Sequence, residues 1–474
     1  MIHAESSGSE IDANPIQTGF ASRMALTTFV VLFTMNLLDY TDRWILTAVL
    51  PQLQNELKFD DYHAGWLSTY FLISYSIVGP IMGYAGDRFK RTRLLAIGVG
   101  LWSVATLCTG LATSYNQLAI ARGFLGVGEA TYGMIAPTML LDLFSRRVRS
   151  QLLSIFYIAM PLGGAIGYVL GSQIASRYSW QLAFYVVGFP GLIAAIAVLF
   201  LPEPVRGATE EVAPDRLALH EKAGPSKDDY FDLMVNSSYT YSVLGMAFYT
   251  FAIGGMAFFL PKFLIIAKGY DQKASGLAIG GVTLCAAVIG MSSGGWLADK
   301  LSKKSERALF IVPGIAMLMS IPFVLSAIYS QSQPMVYASI FMAQALMFIN
   351  TGPCNAVIAN VVMPNMRAAA YGVSVFAVHF LGDIWSPPLM GWVSTTFAAK
   401  DGMATIFGQG LTAIGATPSF RENFAPANLS AAMLLVVPAL LLSGIVLISG
   451  ARHLPGEMAL MRAKLKAAPV VAKS

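Results

Sequence analysis

Mostly apolar runs long enough to cross a lipid bilayer recur roughly a dozen times along this 474-residue chain, and that recurrence decides its fold class. A transmembrane helix needs about 20 predominantly apolar residues. Because hydrocarbon offers no water to bond the backbone, each such run must satisfy its own N–H and C=O groups, which an α-helix does. The runs cover 25–50, 63–85, 94–113, 117–141, 151–175, 181–201, 239–267, 274–298, 308–329, 334–362, 368–397 and 429–451. Composition agrees: 55% of residues are hydrophobic and 12% charged, against roughly 25% charged in soluble domains. The expected fold class is an all-α membrane protein with twelve transmembrane helices.

Between the sixth and seventh runs lies the polar, Pro-containing stretch "PEPVRGATEEVAPDRLALHEKAGPSKDD", which reads as a linker. The expected organisation is therefore a tail at 1–24, a six-helix bundle at 25–201, a linker at 202–238, a second six-helix bundle at 239–451 and a tail at 452–474. The first 24 residues lack the apolar core and cleavage site of a signal peptide, so a retained polar tail is expected. If the N-terminus is inside, the inner segments hold 22 of the 31 Lys and Arg residues. That bias places both termini in the cytoplasm. The net charge of +5 comes in short clusters between apolar runs and fits a membrane surface rather than nucleic acid. Cys108, Cys285 and Cys354 lie inside apolar runs at no metal-ligand spacing and are expected to pack, with no disulfide, metal site or cofactor. The segment 398–428 is a long outer loop without an assigned role.

The halves echo one another. "GYAGDRFKR" at 83–91 follows the second span, and "GWLADKLSK" at 295–303 follows the eighth, 212 residues on. Paired six-helix repeats are the build of rocking transporters, with the substrate held at the midplane between them. An Asp at the inner end of one helix can bond to another helix's N-terminal amides and to neighbouring Arg side chains, forming a latch that breaks as the halves tilt. Asp87, Arg88, Arg91, Asp299 and Lys300 are the gate candidates.

Charges also lie inside the spans. In "NLLDYTDRWIL", Asn36, Asp39, Asp42 and Arg43 fall within about 120 degrees on a helix and can share one cavity. Arg122 and Glu129 of the fourth span lie about 20 degrees apart. Each such charge costs about 2.5–3.5 kcal/mol at mid-membrane, so these groups must be paired, hydrated or neutral. Removing water raises a carboxyl's pKa and a nearby arginine lowers it. An acid subject to both effects, with the distance to its arginine changing between two states, is a proton-coupling device. Asp42 and Glu129 are the candidate proton carriers, with Asp39 as a second acid. Arg43 and Arg122 are expected to hold these acids and an anionic substrate group in turn. In "HFLGDIWSPP", His379, Asp383 and Ser386 share a face, and a histidine beside an acid can sense pH. The seventh span is aromatic and Met-rich, with only Lys262 charged near its outer end. A cavity polar on one wall and apolar on the other suits an amphiphile.

The loop motifs resemble those of the major facilitator superfamily, through Gly83, Asp87, Arg88 and Arg91 in the first copy and Gly295, Leu297, Ala298, Asp299, Lys300 and Lys303 in the second. Lys90 and Ser302 stand where the family usually has glycine. The fourth span carries "RGFLGVGEA", similar to the superfamily's Arg-x-x-x-Gly pattern. The fifth carries "PLGGAIGYVLG", whose Gly163, Gly167 and Gly171 share a face where helices can approach closely. Met160-Pro161 replaces the Gly-Pro of antiporter members. Within the superfamily the chain is similar to the Spinster lipid transporters, through Tyr40, Asp42, Arg43 and Trp44, through "RGFLGVGEA", and through "HFLGDIWSPPLMG". Asp39 departs from the Asn usual in animal members. The resemblance implies proton-linked movement of a lysophospholipid or sphingolipid-like molecule, with protons and the lipid bilayer as partners, in a monomer of a cell membrane. Short loops favour a bacterial inner membrane. The alternatives are a proton-coupled carrier of a small organic anion and a multidrug exporter of the same superfamily. No catalytic constellation supports an enzyme.

Overall fold

The computed structural model describes residues 20–144, 146–204, 231, 233–363, 366–420 and 424–467. The tail expected at 1–24 lies outside it up to residue 19, as do 205–230 of the linker and 468–474 of the second tail. Six long helices come first: α1 (Phe20–Leu57), α2 (Asp61–Arg88), α3 (Arg91–Leu111), α4 (Tyr115–Leu143), α5 (Arg146–Arg177) and α6 (Trp180–Val198). After the linker come α7 (Ser237–Lys262), extended by a wide turn at Phe263–Ala267, then α8 (Gln272–Ser302), α9 (Ala308–Tyr329), α10 (Gln333–Phe348), α11 (Thr351–Val361), α12 (Arg367–Leu381) and α13 (Ser386–Thr396). Two short helices, α14 (Lys400–Ala404) and α15 (Ile406–Ala413), precede α16 (Leu429–Leu434), α17 (Val436–Gly450) and α18 (Leu454–Ala467).

Among the described residues, nine helical stretches are long and apolar enough to cross a membrane. Helices α2 and α4, of 28 and 29 residues, have the length but are more polar. They carry much of the polar chemistry of the first half.

Three expected spans are broken, and a proline follows each break. In the run 429–451, Pro438 leaves the Leu434 carbonyl without its helical donor, and the break falls at Leu435, between α16 and α17. Pro387 and Pro388 have no N–H to continue the helix through 382–385, so the run 368–397 becomes α12 and α13. The carbonyl of Ile384, which Pro388 cannot bond, instead accepts the Thr69 hydroxyl of α2 at 2.6 Å. Pro353 likewise leaves the Ile349 carbonyl without its helical donor, and the run 334–362 becomes α10 and α11. Gly294 of α8 packs directly on that carbonyl, where a Cβ would lie 2.5 Å from the oxygen.

Helix α1 packs along α5 through the expected glycine face. A Cβ on Gly167 would sit 2.5 Å from the Thr41 carbonyl, and one on Gly163 would sit 2.7 Å from the Tyr40 Cβ. The first six helices pack on one another, as do the later ones, and two seams join the sets: α2 with α13, and α5 with α8. Both seams lie toward the end that the charge bias places outside. There Gly65 meets the Pro387 backbone, Gly391 meets the Asp61 carbonyl, and Gly276 meets Ser172. At the opposite end, a Cβ on Gly83, Gly295 or Gly372 would meet nothing within 4 Å. The close glycine approaches between the helix sets lie toward the end expected outside, and these three glycines at the other end face open space.

Two clamps hold the inner ends of the helices. Arg91 is buried and donates to Asp142 at 2.5 Å and to Glu203 at 3.2 Å. Glu203 also accepts the backbone N–H groups of Arg91 and Thr92 at 3.1 and 3.0 Å, first-turn donors of α3 that have no partner within the helix. In the second set, both carboxylate oxygens of Glu457 accept from Ser237 and Ser238 at the start of α7, at 2.9 and 2.8 Å. Arg462 pairs with Glu306 at 2.6 Å, so residues 454–467 form a docked helix rather than a loose tail.

Partial burial raises the Glu203 carboxyl's pKa, but the bonds from Thr92 and Arg91 outweigh it and hold the group below its usual value. A depressed carboxylate contributes stability above its unfolded value, about 4.3, and that contribution is lost as pH falls through the lower folded value. Glu203→Gln is therefore expected to lower the melting temperature at pH 7. The gap to the parent should close in acid melts below that window, and a pH-independent gap would contradict the clamp. Elsewhere, Cys354 is buried as expected, whereas Cys108 and Cys285 are exposed at the helix surface. The described residues of the segment 398–428 include Asn428, which is buried and donates to the carbonyls of Ala416 and Phe397 at 2.9 and 3.2 Å.

Candidate functional site

Helices α1 and α4 cross face to face at the centre of the first set and bring the intramembrane charges together. Arg43 donates from Nε to Glu129 at 2.6 Å, and its Nη2 lies 3.4 Å from Asp39. Three rings cage the guanidinium: those of Tyr40, Phe71 and Tyr75, with centroids 4.8, 5.0 and 5.2 Å away. Asp42 points the other way and accepts the Thr106 hydroxyl of α3. Asp39, Asp42 and Glu129 are all buried, and each keeps one carboxylate oxygen without a hydrogen-bond partner. Asn36 does not join them: its amide donates to the Phe156 carbonyl of α5 at 2.9 Å. The helical wheel places it within their arc, but the close α1–α5 approach captures it first.

Arg122 differs from Arg43. It is 4% exposed, and its Nε has no hydrogen-bond partner. Among the described residues no acid lies within ion-pair distance of it; Asp42 and Glu129 act on it through space. Both arginines line one cavity of about 140 Å³ between the helix sets, with Phe71 on the first wall and Phe258, Gly254 and Asp383 on the second. That volume is below the roughly 300–1,000 Å³ of a pocket that encloses a whole small ligand, and suits a head group. The seventh span supplies an aromatic surface through Phe258, as its composition indicates. The second wall is not free of charge, because Asp383 sits in the break between α12 and α13, with His379 Nδ1 2.9 Å from both its oxygens.

At the outer end, α1, α2, α7 and α13 converge on a group that the sequence alone does not single out. Asp61, 3% exposed, accepts Lys262 of α7, the Ser394 hydroxyl of α13 at 2.6 Å and the Gln54 amide of α1 at 3.0 Å. It is an ion pair joining the two helix sets. In sequence Asp61 follows Asp60, whose side chain caps α2 by accepting from His63, so both read as ordinary first-turn acids. The one available signal is Lys262, a lone cation in an aromatic span that needs a partner.

The gate candidates lie at the opposite end, where α2 and α8 finish and α3 begins. Asp87 and Asp299 are exposed there. Arg88 stacks on Tyr84 and Lys300 on Trp296 of their own helices, at 4.1 and 4.7 Å. Arg91, by contrast, is committed to the clamp within the first set.

Comparison with known proteins places the chain in a family. The model described as Major Facilitator Superfamily matches residues 32–387. The chain is 31% identical to Protein spinster of Drosophila melanogaster over 80% of its length and 64% of the fly protein. It thus spans just under two thirds of that relative. It is 33% identical to the Sphingosine-1-phosphate transporter SPNS2 of Danio rerio, over 78% of this chain and 76% of that protein. In fold it is similar to the crystal structure of a bacterial homolog to the human lysosomal transporter Spinster, in an inward-facing and unoccupied conformation. There the TM-score is 0.79 and the identity 20%, over 92% of this chain and 98% of that one.

Proposed function

Since the chain belongs to the major facilitator superfamily, and within it to the Spinster proteins, we propose that it moves an amphiphilic lipid with an anionic head by proton-coupled alternating access. At the coarser level it is a multi-pass membrane transporter and not an enzyme. The observation that carries the lipid reading is Arg122: a buried guanidinium, unpaired by any described residue, on the wall of a chamber lined also by a second arginine and three aromatic side chains, Trp44, Phe71 and Phe258. A phosphate or carboxylate head completes both arginines, and the apolar wall receives the start of the chain. The cargo class is a lysophospholipid or a sphingolipid-like molecule, in line with the lipid phosphate named for the zebrafish relative.

The rocking bodies are residues 25–201 and 239–451, hinged by the linker 202–238. The close outer seams and the open space at the inner glycines correspond to the state open to the cytoplasm, in a monomer of a bacterial inner membrane. Closing that end would bring Asp87, Arg88, Asp299 and Lys300 into use as latches, with Arg91 holding the start of α3 in place. In the coupling step, Arg43 leaves Glu129 for the arriving anion, and Glu129 then binds a proton. Asp42 and Asp39, each with an unbonded oxygen, are the further proton carriers, and the His379–Asp383 pair responds to pH from the second wall.

Reconstitution into liposomes with an imposed pH gradient tests this reading. The parent should concentrate a fluorescent long-chain lysolipid when the gradient is present and be indifferent to short soluble phosphates. Glu129→Gln and Asp42→Asn should each cut gradient-driven flux by about 100-fold or more, the usual size of an essential proton-transfer group, while lipid exchange without a gradient persists. Full gradient-driven flux in both variants would refute the coupling. Competition by short anions alone would favour the small-anion carrier.

A further inference from the structure

A second cavity, of about 370 Å³, lies at the end expected outside, lined by Pro51 and Gln54 of α1, Lys58 just beyond it, Lys262 of α7 and Phe424 of the segment 398–428. It stands in line with the arginine chamber. Arg43 and Thr47 of the chamber and Pro51 and Gln54 of this cavity fall within about 80 degrees on the α1 helix, so one stripe of α1 runs through both. On α7 the step is about one turn, from Phe258 in the chamber to Lys262 in the cavity, roughly 6 Å along the axis.

The lining is that of a site for a polar group. Lys262 is 4% exposed, and among the described residues Asp61 alone accepts from its ammonium, which has three N–H groups. Gln54 is 6% exposed; its amide N–H donates to Asp61 at 3.0 Å, and its Oε1 has no hydrogen-bond partner. Lys58 is exposed and adds a second cation, on a left-handed backbone (φ 54°) that glycine more often supplies at a helix end. Asp60, the acid on this wall, is turned to His63, whose backbone N–H and ring nitrogen it meets at 3.0 and 2.6 Å.

We propose that this cavity is a second site for the anionic head of the cargo, which takes Lys262 over from Asp61 as it enters. This rests on the anionic-head reading above and extends it from the chamber toward the outer end. A phosphate accepts from the ammonium groups of Lys262 and Lys58, while a hydroxyl of the head, such as that of a lysolipid's glycerol, donates to Gln54 Oε1. The Ser394 hydroxyl and the Gln54 amide continue to serve Asp61 once Lys262 has turned away. The exchange weakens an ion pair that joins the two helix sets, so the cargo itself loosens the outer seam. Phe424 walls the cavity from the segment 398–428, which gives that segment a part in binding.

The test uses the full chain in nanodiscs and a lysophosphatidic acid that carries a diazirine near the head of its acyl chain, with adducts mapped by mass spectrometry. The parent should be marked in two places: in the chamber, around Phe71 and Phe258, and in the outer cavity, around Phe59 and Phe424. Asp61→Asn with Lys262→Gln leaves no buried charge unpaired, and should cut the outer marking about tenfold. Chamber marking within about twofold of the parent's shows that this variant is folded. Lys58→Gln should cut the outer marking a few fold, as suits an exposed charge. Arg122→Gln should do the reverse, losing the chamber marking and keeping the outer one. A monoacylglycerol with the same chain and diazirine should mark the outer cavity about tenfold less than the phosphate probe does. No outer marking in the parent, undiminished outer marking in the lysine variants or with the neutral probe, or an equal loss of both markings in the paired variant would overturn the second site while leaving the chamber reading intact. Outer marking without chamber marking in the parent would overturn the chamber reading and uphold the outer site.

Discussion

Arg122→Gln is expected to weaken binding of a long-chain lysophosphate by roughly 10- to 100-fold, the worth of one or two charge-assisted bonds formed away from water. The guanidinium is buried with its Nε unbonded, so the cargo's anion meets a charge that solvent hardly screens. Arg122→Lys should lose less, because it keeps the charge and gives up the two-pronged geometry. The same observation predicts an opposite effect on stability. Without cargo, Arg122 bears much of the roughly 2.5–3.5 kcal/mol cost of a charge at membrane depth. The empty Arg122→Gln protein should therefore melt at a higher temperature than the parent. Unchanged lysophosphate affinity in Arg122→Gln, measured by titration, would remove the anchor of the proposed function. A lower melting temperature would show that Arg122 serves packing instead.

Asp61→Ala should open the outer end. The Asp61–Lys262 pair is buried on both sides, with side chains 3% and 5% exposed, and it crosses from one helix set to the other. Taking one partner from a buried pair costs about 3–5 kcal/mol, because the remaining charge keeps its desolvation penalty. Here the protein has a way to relieve it: parting α2 from α13 hydrates Lys262. A bias of that size is close to the ~5.5 kcal/mol that turns a 1:99 population into 99:1. Spin labels at Lys58→Cys and Lys400→Cys, exposed positions at the outer ends of the two sets, should report a longer distance in Asp61→Ala. The native cysteines are replaced first. Asp61→Asn with Lys262→Met removes both charges and should restore much of the short distance. An unchanged distribution in Asp61→Ala would show that the pair does not lock the outer seam.

Much of the site was legible before any fold was known, and the reason is the cost of charge in lipid. Asp39, Asp42, Arg43, Arg122 and Glu129 stand out because nothing but function or pairing justifies them within apolar runs. Their partners were not legible. Helical spacing places Arg122 and Glu129 on one face of α4, yet Glu129 bonds to Arg43 of α1 and Arg122 bonds to no described side chain. Spacing describes one helix at a time, whereas pairing depends on how two helices are rotated against each other. Asn36 shows the same limit, since its place on the wheel suits the cavity and its amide bonds to α5.

The amino-acid order alone determined that this chain crosses a membrane as helices, in two related halves, with charges clustered near the middle of the first. Those conclusions follow from the composition and period of local segments, and lipid enforces them without regard to the rest of the molecule. Only the tertiary structure decided which charge meets which, where α10–α11 and α12–α13 break, and that Asp61 finds Lys262 some 201 residues away. Those outcomes depend on close approaches at glycines such as Gly167, Gly254 and Gly391 and on carbonyls freed by proline. Each is a contact between distant segments, and its energy exists only once both helices are in place.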